Sequence, residues 1–288
     1  MKNLLSISSI AIVLFTLSCK EQTPPGLVLN NSGKAVDSSY TAAIETPQVK
    51  KIVMEELTGV QCVNCPEKGS EAIETLMNAN PNRIIPIAIH TGSFTDPHVN
   101  SKYDFRVPDG ESVATFLGGE SGKPSSSVDR IADANNIFIR FPSEWSGIVA
   151  AQKNKTTPVN IHMTSEYNEA QNMIDVIIKT AFTSNVTEDL NLSLYVVEND
   201  IKDVQSFETY IDTAYIFKHV FRKSVTSVQG SPLNFAPKIA GNVLQKRISF
   251  EPITTGVNKW NLDNCHLVGI ISKASTKEVL HAEEIPMK

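Results

Sequence analysis

A pair of cysteines, Cys62 and Cys65, is the feature that most restricts how this sequence can fold. Residues 51–57 before the pair have a strand pattern, and Pro66 after it fits the first turn of a helix, where a backbone N–H is not needed. Residues 83–90 are apolar nearly throughout, as in strands of a parallel sheet that is covered on both faces. Strand, helix and strand in this order predict one βαβ unit.

The spacing of the two cysteines indicates redox chemistry. Three residues apart at the start of a helix, the sulfurs are close enough to bridge, and the free N–H groups and partial positive charge of the helix end stabilise a thiolate. We therefore expect Cys62 to attack a substrate disulfide and Cys65 to resolve the mixed disulfide. In this strand and helix context the pair predicts a thioredoxin-like α/β domain over residues 49–153.

Pro124 supports the same interpretation. In a thioredoxin-like fold a cis-proline loop lies opposite the cysteine pair and precedes an edge strand, and Lys123-Pro124 stands before a strand pattern in that chain order. Only about 5–6% of X–Pro bonds are cis, so the expectation depends on the fold. We assign Pro124 to a groove that docks an extended peptide, and expect Lys123 to lie near Cys62 and favour its thiolate.

Three other roles remain open for the cysteine pair. A zinc site needs a second pair of ligands, and the sequence offers no second CxxC and no His-x3-His. A copper chaperone would combine Cys62 and Cys65 with His90, because thiolate and imidazole suit copper. An inert disulfide in a secreted binding protein is the third alternative. We predict no metal and no cofactor.

The N-terminal residues predict export and anchoring. Residues 1–19 have a positive start and a short apolar run, as in a bacterial signal peptide, and Ser18-Cys19 resembles a lipobox in which Cys19 is lipidated. Residues 20–48, rich in Pro, Gly, Ser, Thr and Asn, predict a flexible tether. We expect the protein to be anchored to a membrane through the lipid at Cys19.

The second half of the chain changes to an alternation of apolar and polar residues. From residue 157 to residue 288 this pattern predicts an all-β domain, an immunoglobulin-like β-sandwich. The alternation marks strand candidates at residues 159–163, 174–178 and 192–196, and further candidates are residues 216–225, 244–250, 265–272 and 278–285. No catalytic constellation is visible in this half, and Cys265 is expected to be a buried free thiol.

The charge balance excludes one class of partner. The chain has 26 basic and 31 acidic residues and a net charge of −5, whereas binding to nucleic acid requires a basic face. We expect no nucleic-acid partner.

Three segments resemble the outer membrane protein 28-related family. Residues 55–59 followed by residues 62–66 look like its cysteine motif, residues 122–130 are similar to its second signature, and residues 219–222 are similar to a third. The resemblance implies a thioredoxin-like domain followed by a β-sandwich, on an outer-membrane or cell-surface lipoprotein of Bacteroidetes-type bacteria. Two locations stay open for the folded part of the lipoprotein: the periplasmic side of the outer membrane and the cell surface.

Two functions follow as hypotheses. The first is a thiol–disulfide oxidoreductase that acts on disulfide-containing envelope proteins or peptides through Cys62 and Cys65. The alternative is a non-enzymatic adhesion or ligand-binding lipoprotein in which the cysteine pair is a structural disulfide.

Overall fold

The fold is described for residues 37–288 by a computed structural model and is largely β-sheet. The strands are β1 (Ser38–Thr41), β2 (Ile52–Thr58), β3 (Ile84–His90), β4 (Ser125–Val128), β5 (Ile139–Arg140), β6 (Val159–Asn168), β7 (Met173–Phe182), β8 (Leu190–Glu198), β9 (Ile201–Ser206), β10 (Ile211–Phe217), β11 (Val220–Ser224), β12 (Ser231–Pro232), β13 (Asn242–Phe250), β14 (Cys265–Lys273) and β15 (Val279–Pro286). The helices are a π-helical turn (Cys65–Ser70), α1 (Glu71–Ala79), α2 (Pro108–Phe116), α3 (Pro142–Gln152) and a 3-10 turn (Leu262–Asn264).

The predicted βαβ unit is confirmed. Strands β2 and β3 pair in parallel from Ile52 opposite Ile84 to Thr58 opposite His90, and the π-helical turn and α1 form the crossover. Strand β4 joins the other side of β2 in antiparallel orientation. The segment around Ser126 was expected to be an edge strand, but the two-residue strand β5 pairs with it and takes the edge.

The sheet does not end at the predicted domain boundary. Its strand order is β15-β14-β8-β11-β3-β2-β4-β5, so strands from both halves of the chain share one hydrogen-bonded sheet. One apolar core, lying against α2, also joins the halves, with Leu57 and Ile87 packed together with Val197, Phe221 and Ile270. The division into residues 49–153 and 157–288 stays a prediction.

A second sheet covers part of this long sheet. Strands β1, β13, β7 and β6 pack face to face on β8 and β14 around a large apolar core that includes Phe182, Leu194 and Leu267. The alternation in the second half of the sequence thus marks two stacked β-layers. They differ from an isolated immunoglobulin-like sandwich because one layer continues into β3 and β2.

The prediction of a flexible tether over residues 20–48 is wrong for residues 37–48, the part that the structure describes. Strand β1 pairs with β13, and Gln48 exchanges hydrogen bonds with the backbone and side chain of residues in β6. The Asn160 amide donates to Thr46 and Glu45 as well. A polar composition did not prevent this order, because strand pairing uses backbone groups that every residue except proline offers.

Buried ion pairs lie in two of the segments that resembled family signatures. The Arg130 guanidinium lies 2.7 Å from the Glu55 carboxylate, and the Lys50 ammonium lies 3.0 Å from Asp129. In the third segment, the Arg222 guanidinium lies 3.3 Å from the Glu198 carboxylate at the end of β8. The segments therefore connect β2, β4, β8 and β11 inside the shared sheet.

One long strand predicted for residues 216–225 is two strands. Residues Lys218 and His219 separate β10 from β11, with His219 at a positive φ of 55°. Strand β10 turns back on β9 as a separate hairpin, which the sequence pattern did not reveal because most of β10 is exposed and does not alternate.

The predicted signal peptide of residues 1–19, the lipidation of Cys19 and residues 20–36 lie outside the described residues. Within residues 37–288, no helix has the length and apolarity needed to cross a membrane.

Candidate redox site and adjoining cavity

The cysteine pair lies in the crossover between β2 and α1. Cys62 and Cys65 form a disulfide with their Cα atoms 5.4 Å apart, and both are buried, at 5% and 1% exposure. The π-helical turn begins at Cys65 and not at Cys62, which instead closes a turn through its carbonyl. The expectation that the two sulfurs can bridge is confirmed.

The β9–β10 hairpin covers this disulfide. The Gln205 side chain donates to the Cys62 carbonyl at 3.1 Å, and the Ser206 backbone N–H donates to the Val60 carbonyl at 2.9 Å. The His98 ring lies 3.1 Å from the Ser206 hydroxyl and extends the same contact. The second half of the chain therefore supplies the cover of a motif in the first half.

Pro124 lies against the helical turn that carries Cys65. Its peptide bond with Lys123 is cis, as expected, and its side chain is buried. A Cβ added to Gly69 would come within 2.7 Å of the Pro124 Cβ, so only glycine permits this close approach.

Lys123 has other partners than the cysteine pair in this structure. Its ammonium lies 2.7 Å from the Glu120 carboxylate and also donates to the carbonyls of Thr91 and Ser93. Desolvation lowers the pKa of Lys123, while Glu120 acts in the opposite direction. The expected role of Lys123 beside the Cys62 thiolate stays a prediction.

Glu56 is a candidate functional residue that sequence analysis missed. It is 3% exposed on β2 beneath the turn, and a Cβ on Gly69 would overlap its Oε1 atom. Oε1 has no hydrogen-bond partner, and burial raises the pKa of Glu56 to about 8. The available signal was an acidic residue next to Glu55 in a strand that is otherwise apolar.

A cavity of about 420 Å3 lies beside Cys65 and Glu56. Its floor is the end of β3 with Ala88 and His90, one wall is α1, and the opposite wall is the β9–β10 hairpin. The Nδ1 atom of His90 is buried without a partner, and burial together with the nearby Lys123 lowers the pKa of His90 to about 3. Glu56 and His90 are therefore two fully buried side chains of the cavity that are uncharged and incompletely bonded at neutral pH.

His90 was the third ligand in the copper alternative. Its ring packs between aromatic rings, with centroids 4.9 Å from Phe105 and 5.8 Å from Phe217. Among residues 37–288, no group of three or more His, Cys, Asp or Glu side chains is arranged to hold a metal ion.

Cys265 is a buried free thiol, as predicted. It is fully buried at the start of β14, and burial raises the pKa of its thiol. It belongs to the core between the two sheets and not to the cavity, which makes it a useful control cysteine.

The family model described as outer membrane protein Omp28 matches residues 117–286. The chain belongs to the Omp28 family. Membership places this Omp28-family protein at the outer membrane of the cell envelope. The matched residues include Pro124 but begin after the cysteine pair.

The chain also resembles two solved structures from Porphyromonas gingivalis. HBP35 of Porphyromonas gingivalis matches 84% of this chain and 77% of its own, at a TM-score of 0.63 and 19% identity, a likeness that concerns the fold alone. A domain of the outer membrane lipoprotein Omp28 from Porphyromonas gingivalis matches 46% of this chain and 89% of its own, at a TM-score of 0.31 and 17% identity. No curated protein matches the chain.

Proposed function

We propose that this protein is a lipid-anchored thiol–disulfide oxidoreductase of the outer membrane, with a thioredoxin-like N-terminal domain. The observation that carries the proposal is a cysteine pair in the β2–α1 crossover with Pro124 packed against the same helical turn. A signal peptide over residues 1–19 and lipidation of Cys19 would supply the anchor. Disulfide-containing envelope proteins or peptides are the proposed substrates.

The proposed reaction starts from the reduced pair. The Cys62 thiolate attacks one sulfur of a substrate disulfide, a mixed disulfide forms, and the other substrate sulfur leaves as a thiolate that takes up a proton. The Cys65 thiol then loses its proton and attacks the Cys62 sulfur, which re-forms the Cys62–Cys65 disulfide and releases the second substrate thiol. Two electrons pass from the protein pair to the substrate disulfide.

Glu56 is the proposed proton acceptor for Cys65. Both residues line the same cavity, and the partnerless Oε1 lies under the turn that carries Cys65. With a pKa of about 8, Glu56 is mostly protonated at pH 7; its ionised fraction accepts the Cys65 proton, and its protonated form returns a proton when exchange runs in reverse. Access to Cys62 requires the β9–β10 hairpin to release the carbonyls held by Gln205 and Ser206.

An insulin-reduction assay with the full chain tests the proposal. We expect Cys62→Ser to abolish turnover and Cys265→Ala, which removes a cysteine remote from the pair, to retain it. A reduction potential between roughly −270 and −120 mV would match known exchange catalysts. Turnover that survives Cys62→Ser, or a potential below about −300 mV, would refute the assignment.

The alternative function is a non-enzymatic adhesion or ligand-binding lipoprotein, and the burial of the disulfide under the hairpin favours it. Closing so short a loop contributes roughly 2 kcal/mol to stability in the chain-entropy model. If the pair is a structural disulfide, its reduction should clearly lower the melting temperature of the protein. A melting curve that reductant leaves unchanged would count against this alternative.

A further inference from the structure

Half of the residues that line the cavity beside Cys65 are apolar or aromatic. Phe207, Tyr215 and Phe217 of the hairpin face Ile73 and Met77 of α1 across the floor of β3. At about 420 Å3, the cavity lies within the range of roughly 300–1,000 Å3 that is typical of small-molecule sites. It is large enough for one or two rings and too small for a folded partner.

The aromatic rings of the hairpin wall form a cluster, and an aromatic guest molecule can add a further ring to it. The rings of Tyr215 and Phe217 meet edge to face with centroids 4.8 Å apart, and Phe207 meets Tyr215 in the same manner at 5.9 Å. Further rings placed edge to face or offset gain from the same quadrupole attraction.

Three buried polar atoms of the cavity lining lack partners; one belongs to His219, which is half-buried, and two belong to fully buried residues. Oε1 of Glu56 and Nδ1 of His90 each belong to a side chain that is only 3% exposed, and both residues line the cavity. Buried polar atoms without a partner are rare in folded proteins, so each requires an explanation. A hydroxyl or N–H group on a guest molecule can supply a hydrogen bond that the protein itself does not make.

The charge of the lining selects an uncharged guest. At pH 7 Glu56 is mostly protonated and His90 is neutral, because burial opposes charge on both. The charged residues of the lining are exposed at the mouth, where Lys218 lies 3.5 Å from Glu74. A charged guest would lose its hydration without gaining a counter-ion inside the cavity.

We propose that this cavity binds a small, uncharged aromatic molecule that carries one hydroxyl or N–H group. The binding involves no reaction at the cysteines, so it extends beyond the proposed exchange activity and holds whether or not that activity exists. The hydroxyl or N–H lies toward Glu56 and His90, and the ring lies against the hairpin rings.

Isothermal titration calorimetry of the full chain with p-cresol and with indole tests the proposal. We expect saturable binding at one site for at least one of the two probes, and affinities at least tenfold weaker for benzoate, which is charged, and for cyclohexanol, which is not aromatic. No saturable binding of p-cresol or indole, or benzoate binding as tightly as p-cresol, would overturn the proposal.

Two variants locate the site. Ala88→Leu adds side-chain volume to the cavity floor, so binding should be lost, whereas Ala151→Leu on the exposed face of α3 should bind as the unmodified protein does. Ala88 lies within the parallel ladder of β2 and β3, so a larger side chain there also acts on the sheet. Phe207→Ala, on the partly exposed hairpin, is a second variant that leaves the sheet intact. We expect it to weaken binding severalfold. Unchanged binding in both Ala88→Leu and Phe207→Ala would place the probe elsewhere and overturn the proposal.

Discussion

Glu55 and Glu56 are neighbours on strand β2, and they have opposite surroundings. Both are buried, at 1% and 3% exposure, and they point to opposite faces of the same sheet. On the α2 face, Glu55 accepts hydrogen bonds from Arg130, which also donates to the Tyr195 hydroxyl at 3.1 Å. On the α1 face, Oε1 of Glu56 has no partner and lies beside the cavity.

The difference separates a structural carboxylate from one that is available for chemistry. The pair of Glu55 and Arg130 joins β2 to Tyr195 of β8, and thus the first half of the chain to the second. A paired buried charge of this kind fixes position, whereas an unpaired carboxyl keeps a raised pKa and an unused hydrogen-bonding atom. The same strand therefore serves stability on one face and the candidate site on the other.

The largest effect is expected for Glu55→Gln. The substitution leaves the Arg130 guanidinium buried without its counter-charge, and breaking a buried ion pair in this way costs about 3–5 kcal/mol. Urea unfolding measures the loss. The double variant Glu55→Gln with Arg130→Met should recover most of it, since no uncompensated charge remains. A loss below about 1 kcal/mol in the single variant would contradict a structural role for Glu55.

Glu56→Gln is expected to change the pH dependence of stability and not to unfold the protein. The folded-state pKa of about 8 exceeds the ordinary glutamate pKa of 4.5, so between these values the native state holds a proton that the unfolded state has lost. Stability from this group is therefore fully present below about pH 4.5 and is lost as the pH rises towards 8. The variant lacks that loss and should be the more stable protein at pH 8.5.

Denaturant unfolding at pH 5 and pH 8.5 measures this difference. Exposed Glu67 on the π-helical turn provides the matched control, and Glu67→Gln should follow the pH dependence of the unmodified protein. Parallel curves for Glu56→Gln and the unmodified protein would show that Glu56 is ionised in the folded state, and the contrast with Glu55 would disappear.

The smallest effect is expected for Gln205→Leu in the hairpin cover. The substitution removes the side-chain donor to the carbonyls of Cys62 and Ser206, which costs about 1 kcal/mol for a neutral hydrogen bond. A looser cover should also make the disulfide react faster with dithiothreitol. Lys202→Ala, on an exposed position of β9, should react at the rate of the unmodified protein. Equal rates in all three proteins would mean that the hairpin does not control access.

Local patterns were sufficient to predict much of the first half. The parallel pairing of β2 and β3, the helix after the cysteines, the disulfide and the cis bond before Pro124 follow from spacing and chain order over short distances. Prediction failed where pairing is long-range, as for β1, whose partner β13 lies about 200 residues away along the chain.

The amino-acid sequence was enough to predict the chemistry that neighbouring residues create: two cysteines three apart, a proline before a strand, and alternating residues that form layers. The tertiary structure alone decided which buried acid is paired and what covers the disulfide. Gln205 is 143 residues from the Cys62 carbonyl that it contacts, and Arg130 is 75 residues from Glu55. Such contacts depend on which surfaces pack together, and a periodicity read along one segment contains no information on its distant partner.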